Sequence, residues 1–166
     1  MICMKQTVST QPVPCYHRPM RILLIAPPSR PVPVAGYGGT QRVCVDLLRA
    51  FSDLGHEAIL FGPKGSGHDT LSIVETATEP TRKNSAENLS AYIKDIKSKL
   101  PFTPDIIHNH SGAWKEIQAQ FPNTPLVTTM HGYDDPIPEV GHKIFISKSQ
   151  HQNYHYAQKD GHQIYN

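Results

Sequence analysis

The chain has 166 residues, and its 16 lysines and arginines against 14 aspartates and glutamates give a formal net charge of +2. This length is typical of one domain with its own hydrophobic core, and the near balance of charge gives no sign of a nucleic-acid partner. No apolar run is long enough to cross a bilayer, and the amino terminus lacks the apolar core of a signal peptide. We therefore expect a cytoplasmic protein with no nucleic-acid partner and at most peripheral contact with a membrane.

The amino-terminal segment and the cysteines carry little pattern. Residues 1–19 hold three prolines and two cysteines without periodicity, and Met20 stands directly before the first apolar run like a natural start. We expect residues 1–19 to be a loosely ordered extension and residues 20–166 to form the folded domain. Cys3, Cys15 and Cys44 are an odd set without ligand spacing, which favours a reducing compartment.

The first folded unit is a strand, a glycine loop and a helix. Within residues 21–28, an apolar run of five residues is bounded by prolines and predicts a strand buried on both faces. Residues 35–42 are rich in glycine, and the apolar residues of 43–54 recur at three- and four-residue spacing, which predicts a helix. Thr40 is the expected N-cap, and Gly55 is expected to end the helix in a left-handed conformation.

The glycine loop could serve a ligand or only a tight turn. Gly36, Gly38 and Gly39 lack a Cβ, so the backbone can approach a ligand where the helix begins, and the unpaired N–H groups there suit a phosphate. The other interpretation is a connection with no ligand. The residue three after Gly38 is Gln41 rather than glycine, so the dinucleotide fingerprint is absent and NAD is disfavoured.

The remaining elements alternate between strand and helix patterns. Asn84 with Glu87 resembles a capping box and predicts the start of a second long helix that ends at Leu100. Strands are predicted at 56–61, 71–74, 105–110, 125–130 and 143–147, with another beginning at 164–166. Helices are predicted at 114–121 and 148–159.

This alternation predicts the fold class and the place of the site. It indicates an α/β protein with a Rossmann-like open parallel sheet and helices on both faces. Ligands bind such sheets at the carboxyl ends of the strands, where the strand order reverses. Three polar clusters are therefore expected to converge there, namely the glycine loop, residues 108–111 and residues 131–135. The loops at 31–34 and 76–83 are expected to shape the same region.

The histidines differ in what their positions predict. His131 leaves an apolar strand beside glycine, where an imidazole could donate a proton to a hydroxyl or take one from it. His108 and His110 point the same way along their strand, and hydrogen bonding at the strand end is the favoured interpretation over metal binding. The expected surface histidines are His56, His142, His151, His155 and His162. Among these, the i, i+4 spacing of His151 and His155 suits a metal but lacks an acidic neighbour.

Six segments, in this order and spacing, carry a resemblance to a known family. They are RILLIAPP at 21–28, GYGGTQR at 36–42, LGHEAILF at 54–61, DIIHNH at 105–110, TTMHG at 128–132 and FISKSQ at 145–150. Together they resemble the N-terminal half of family 4 glycosyltransferases, which are retaining enzymes of the GT-B architecture. The resemblance covers nearly all of residues 20–166.

The resemblance implies roles for particular residues. In that family two Rossmann-like domains face each other, the first binding the acceptor and the second most of the nucleotide-diphosphate sugar. Gly38, Gly39 and Thr40 would then lie against the donor diphosphate, and His131 would lie near the sugar and the acceptor. The resemblance also implies an acceptor side lined by Arg42, Asn109, His110 and Ser111. For Arg42 a surface pair is the other interpretation, and neither a metal nor a cofactor is expected.

We expect the chain to depart from the family pattern by the absence of the second domain, with its basic pair and its acidic E-x7-E element. We expect a truncated or isolated N-terminal domain that is inactive or nearly so alone. A nucleotide sugar should bind it only weakly, with Kd on the order of millimolar. Gly39→Val should abolish that binding, because the Cβ of valine would block the close approach of the ligand and penalise any positive φ at this position. The bare cleft face, with Tyr37, Tyr133 and Ile137, could form a homodimer or receive the missing domain.

Two other functions stay open at this point. One is a free-standing module that binds a sugar, a phosphate or a partner domain without catalysis, and a natural stop after Asn166 would favour it. The other is a hydrolase or metal enzyme that uses His108, His110 and His131, which would need a tightly bound divalent ion.

Overall fold

The computed structural model describes residues 18–83, 85–132, 138–153 and 161–163. Within these residues the chain forms strands interspersed with helices, as the sequence predicted. They are β1 Arg21–Ile25, α1 Gly39–Asp53, β2 Glu57–Gly62, β3 Ile73–Glu75, α2 Ala86–Lys99, β4 Ile106–Asn109, α3 Trp114–Gln120, β5 Leu126–Met130, β6 His142–Phe145, α4 Lys148–Asn153 and β7 Gly161–Gln163.

The strands form one parallel sheet in the order β3-β2-β1-β4-β5-β6-β7. The chain runs outward from β1 to β3 and then returns to the other side of β1 with β4, so the order reverses between β1 and β4. This arrangement confirms the Rossmann-like fold. It also corrects one expectation, because His131 follows β5, one strand beyond the reversal, whereas His110 follows β4 at the reversal itself.

The central strand β1 is buried on both faces because helices cover both. Leu23 and Ile25 face the layer formed by α2 and α3, and Leu24 faces α1 on the opposite side. Alternate residues of a strand point to opposite faces, so the unbroken apolar run of β1 supplies both cores at once. Leu24 pairs in register with Leu60 of β2 and His108 of β4. His108 therefore lies on the α1 side of the sheet.

Helix α1 begins earlier than the sequence predicted. Its first residue is Gly39, the N-cap is Gly38 rather than Thr40, and no side chain caps this end. The apolar periodicity starts only at Val43 because the first turn faces the open end of the sheet. The C-terminal prediction is confirmed: Gly55 has φ of +82°, and the N–H of His56 donates to the carbonyl of Phe51 at 3.0 Å. This is a Schellman motif.

Helix α2 is anchored at its start and in its middle. The N-cap is Ser85, whose hydroxyl accepts from the N–H of Asn88 at 3.2 Å, so the expected Asn84 cap is replaced; Asn84 itself lies outside the described residues. Tyr92 is fully buried, and its hydroxyl donates to the carbonyl of Ala26 at 2.9 Å. The carbonyl of Phe61 is a second acceptor, 3.3 Å from the same hydroxyl. The hydroxyl thus ties α2 to the carboxyl ends of β1 and β2.

The outer elements depart most from the predictions. Strand β3 is shorter than expected, β6 starts at His142 and ends before Ile146, and β7 was not predicted because Gly161–Gln163 has no apolar alternation. Several expectations lie outside the described residues: the extension at 1–17 with Cys3 and Cys15, residues Tyr133, Asp134, Asp135, Ile137 and His155, the end of the predicted last helix, and the strand at 164–166. None of the helices in the described ranges is long and apolar enough to span a membrane.

The buried hydroxyl of Tyr92 gives a stability prediction. Removing it in Tyr92→Phe leaves the Ala26 carbonyl without this donor and should lower the free energy of unfolding by about 1–3 kcal/mol. Urea denaturation measures the loss. Tyr37→Phe is the matched control, since Tyr37 is 87% exposed and its variant should stay within about 0.5 kcal/mol of the parent. Equal losses in both variants would contradict a structural role for the Tyr92 bond.

Candidate functional site

A cleft of about 650 Å³ opens at the carboxyl ends of β1, β4 and β5, beside the start of α1. The described part of its lining includes two arginines and no aspartate or glutamate. The lining residues are Pro27, Ser29, Arg30, Tyr37, Gly38, Gly39, Thr40, Gln41, Val43, Arg82, His110, Ser111, Gly112, Trp114, Thr128, Thr129, Met130, His131, Gly132, Pro138 and Ile146. The cleft thus lies where the parallel topology predicts a ligand site.

The glycine loop is tight at Gly38 and open at Gly39. A Cβ on Gly38 would lie 2.6 Å from Cγ1 of Val34, closer than the packing allows. A Cβ on Gly39 would meet nothing within 4 Å, and its φ is not positive, which corrects the reason given for the expected effect of Gly39→Val. The positive φ falls instead on Gly36, at +81°. A side chain at Gly38 is therefore opposed by packing against Val34, and one at Gly36 is opposed by the positive φ.

The amino end of α1 presents backbone donors to the cleft. The first intrahelical bond runs from the N–H of Arg42 to the carbonyl of Gly38 at 3.0 Å, so the N–H groups of Gly39, Thr40 and Gln41 precede it. The first turn has no acidic residue and no side-chain cap. With the positive end of the helix dipole behind them, these donors favour an anion.

Arg42 does not lie in the cleft. Its side chain is exposed, and Nη2 donates to the carbonyl of Gly36 at 2.7 Å. Arg30 does line the cleft, and its Nη1 donates to the carbonyl of Tyr37 at 2.6 Å. Both arginines therefore hold the glycine loop through its carbonyls, and for Arg42 the structure favours the surface interpretation over the acceptor side.

Asn109 shapes the loop after β4 instead of lining the cleft. It is fully buried, and its Oδ1 accepts from the backbone N–H of Ser111 at 2.9 Å and from the Ser111 hydroxyl at 2.7 Å. Its Nδ2 donates to the Ser111 carbonyl at 2.8 Å. These local bonds satisfy the amide and fold the chain into a turn. Ser111 lies on the cleft, and Asn109 acts by fixing it there.

His110 and His131 meet at the cleft wall. Nδ1 of His110 lies 2.8 Å from Nε2 of His131, and the ring centroids are 5.1 Å apart. His110 is only 5% exposed, and its Nε2 is buried with no hydrogen-bond partner among the described residues. Burial, with the nearby imidazoles of His108 and His131, lowers the pKa of His110 well below its usual range. His110 is therefore neutral at physiological pH.

His108 lies beneath His110 on the same face, as predicted. The two ring centroids are 4.4 Å apart, and Nε2 of His108 lies 2.8 Å from Oγ1 of Thr129, which joins β4 to β5. Desolvation by burial, followed by the electrostatic effect of the nearby His131 imidazole, lowers the pKa of His108 to about 4. The predicted hydrogen-bonding role at the strand end is confirmed for this residue.

No metal site accompanies these histidines in the part of the chain that is described, since no three His, Cys, Asp or Glu side chains there converge on one point. Two expected surface histidines are partly buried instead. Nδ1 of His56 accepts from the N–H of Met20 at 3.2 Å, and the ring of His151 stacks on Phe145 with centroids 4.9 Å apart. His142 is exposed, as predicted.

Some cleft residues were missed by the sequence analysis. Arg30 follows β1, and Arg82 lies in the loop at 76–83 that was expected to shape the site. Gln41 is 5% exposed and donates from Nε2 to the hydroxyl of Ser29 at 3.2 Å. The rule that places sites at strand carboxyl ends could have found Arg30, because it stands five residues after Ile25. No local pattern distinguishes Gln41.

The lowered pKa of His108 predicts how stability depends on pH. The pKa of histidine in an unfolded chain is about 6.5, whereas the pKa of His108 in the folded chain is about 4. Between these two pH values the unfolded chain binds a proton at this position and the folded chain does not. The contribution of neutral His108 to the free energy of unfolding is therefore fully present above pH 6.5 and decreases as the pH falls. Between pH 7 and pH 5 this decrease is about 2 kcal/mol.

Urea denaturation at pH 7 and pH 5 measures that loss. His108→Gln should reduce it by about 2 kcal/mol, because glutamine does not titrate. His142→Gln is the control, since His142 is exposed. An equal pH dependence in parent and His108→Gln would contradict the prediction.

Comparisons with known proteins agree with this architecture. A chain described as an alpha-glucosyltransferase in complex with UDP-glucose and DNA containing an abasic site matches with a TM-score of 0.53 at 14% identity. The match covers 90% of this chain and 42% of that one, so this chain spans about two fifths of that protein's length. At this identity the likeness shows the fold alone. A search of curated proteins found no match.

The family comparison is the decisive one. The model of Glycosyltransferase Family 4 matches residues 37–165. This range runs from the glycine loop through α4 and β7, and it contains the amino end of α1, the cleft residues His110 and His131, and His108 beneath them. Because the matched range is most of the chain, the protein belongs to glycosyltransferase family 4.

Proposed function

We propose that this chain supplies the acceptor-side half of a glycosyltransferase, which moves a sugar from a nucleotide-diphosphate sugar to an acceptor when a donor-binding domain faces its cleft. The observation that carries the proposal is that one cleft contains both the open amino end of α1 and His131. Family membership and the span of about two fifths of the solved α-glucosyltransferase support it.

The donor diphosphate would lie against the start of α1. The N–H groups of Gly39 and Thr40 precede the first helical bond, and Gly38 leaves no side chain between the backbone and the ligand. Arg30 and Arg82 add positive charge on the cleft wall, with no acidic side chain in the described lining to oppose it. Fixed donors and cations of this kind stabilise the charge that develops on a departing diphosphate.

His131 would act beside the transferred sugar. Its imidazole lines the cleft next to His110, and Ser111 lines the same wall. An imidazole at this position can exchange a hydrogen bond or a proton with a hydroxyl of either substrate. No step of this scheme needs a metal or a cofactor.

The proposal also assigns the chain a dependence on its partner domain. The described residues line the cleft from the glycine loop and from the ends of β4 and β5, and a bound diphosphate would keep much of its contact with water until a second domain covered it. Electrostatic stabilisation weakens strongly in water, because the effective dielectric constant is high there. The isolated chain should thus bind a nucleotide sugar weakly and transfer it slowly or not at all.

Titration with UDP-glucose tests the binding part. The chain alone should bind it with Kd on the order of millimolar, because a few exposed hydrogen bonds reach only that range. Gly38→Ala should weaken binding at least several-fold, since its Cβ would force Val34 and the loop to move. Gly67→Ala is the control, because a Cβ there meets nothing within 4 Å and Gly67 is exposed away from the cleft.

Calorimetry measures the affinities, and circular dichroism checks that each variant is folded. Micromolar binding by the isolated chain would contradict the dependence on a second domain. Binding that Gly38→Ala leaves unchanged would place the ligand away from the glycine loop.

A transfer assay tests the catalytic part. The chain joined to a donor-binding domain of the same family should transfer the sugar, and His131→Ala should lower kcat by about 10²-fold or more, the usual contribution of a positioned acid or base. His142→Ala is the control on an exposed histidine. An unchanged rate in His131→Ala would remove His131 from the mechanism, and binding without any transfer would favour the non-catalytic module.

A further inference from the structure

We propose that His110 is a positioning residue for His131: its Nδ1–H holds the His131 ring and fixes the His131 proton on Nδ1. The inference rests on the proposed function only for its catalytic meaning, because the hydrogen bond itself is a property of this chain. It follows from the bond between the rings, the buried second nitrogen of His110 and the packing of His108.

The bond between the rings involves one nitrogen of each. Nδ1 of His110 and Nε2 of His131 are 2.8 Å apart, with the ring planes 32° from parallel. Of two neutral imidazoles in such contact, one must donate and the other must accept. Whichever nitrogen carries the proton therefore decides the tautomer of both rings at once.

The second nitrogen of His110 decides the direction of the bond. Nε2 of His110 is buried and has no hydrogen-bond partner among the described residues. If the proton were there, the chain would bury an unpaired N–H, which is rarer in proteins than a buried unpaired acceptor. The proton is therefore on Nδ1, and His110 donates to Nε2 of His131.

The surroundings of His110 disfavour its doubly protonated, charged form. The His108 ring packs 4.4 Å away between centroids, and the centroid of the His131 ring is 5.1 Å away. His110 is 5% exposed, so a charge on it would lose its hydration and face two further imidazoles. At neutral pH it thus remains a neutral ring with a single N–H.

The consequence for His131 concerns which substrate groups it can serve. Since its Nε2 accepts from His110, a neutral His131 ring carries its proton on Nδ1. A ring in this tautomer can donate a hydrogen bond through Nδ1 but cannot act as a base there. The sequence left these two roles open, and the contact with His110 selects the first.

Nuclear magnetic resonance of the ¹⁵N-labelled chain at pH 7 tests the tautomer directly. Long-range ¹H–¹⁵N correlations should show His131 protonated on Nδ1, whereas exposed His142 should show mainly the Nε2–H form that prevails in water. His131 protonated on Nε2 in the parent chain would overturn the proposal. This measurement needs no substitution and no activity.

Two variants at position 110 separate positioning from packing. His110→Phe keeps a ring against His108 but removes the donor, so His131 should shift to the Nε2–H form. His110→Asn keeps a donor close to the place of Nδ1, so it should retain the Nδ1–H form. An unshifted His131 tautomer in His110→Phe would overturn the proposal, as would a shift of equal size in both variants.

Kinetics of the chain joined to a donor-binding domain then links the tautomer to catalysis. His110→Phe should lower kcat about tenfold with little change in the KM for the donor, and His110→Asn should restore most of the rate. Equal rates in parent and His110→Phe would overturn the positioning role. If no variant or parent transfers sugar while the tautomer follows the prediction, the proposed function falls and the His110 contact stands.

Discussion

The burial of β1 on both faces is the constraint on which the rest of the molecule depends. Every side chain from Ile22 to Ile25 is buried, so helices must cover both sides of the sheet, and right-handed crossovers then place β2 and β4 on either side of β1. The reversal of strand order beside β1 creates the crevice that the cleft occupies. The position of the site is thus set by the hydrophobic core before any polar residue contributes.

Elements with strong periodicity were predictable, and elements held by tertiary contacts were not. β1, β2, β4, β5 and most of α1 and α2 follow their apolar patterns because burial decides them. The start of α1 at Gly39 was hidden because a first turn needs no apolar residue, and β7 was hidden because pairing with β6 forms it without a pattern of its own. Asn109 was misassigned for a similar reason: its sequence position resembles that of a ligand residue, but its amide is satisfied within the turn.

The cleft separates two kinds of polar group. Backbone donors and arginines lie on the side of the glycine loop, while buried neutral imidazoles lie on the side of β4 and β5. The first group suits a charged ligand, and the second suits oriented hydrogen bonds, because burial keeps His108 and His110 uncharged. The imidazoles follow the ends of β4 and β5, and such rigid elements hold polar groups more accurately than free loops would.

The pairing of β1 with β4 also has a consequence for how the molecule folds. Ile22 pairs with Ile106, and the N–H of Arg21 donates to Oδ2 of Asp105, 84 positions away in the sequence. Contacts so distant along the chain form late, because the loop between them must close first. We therefore expect the β1-β2 unit with α1 to assemble early and the cleft to form only when β4 docks. The site would then exist only in the completely folded chain.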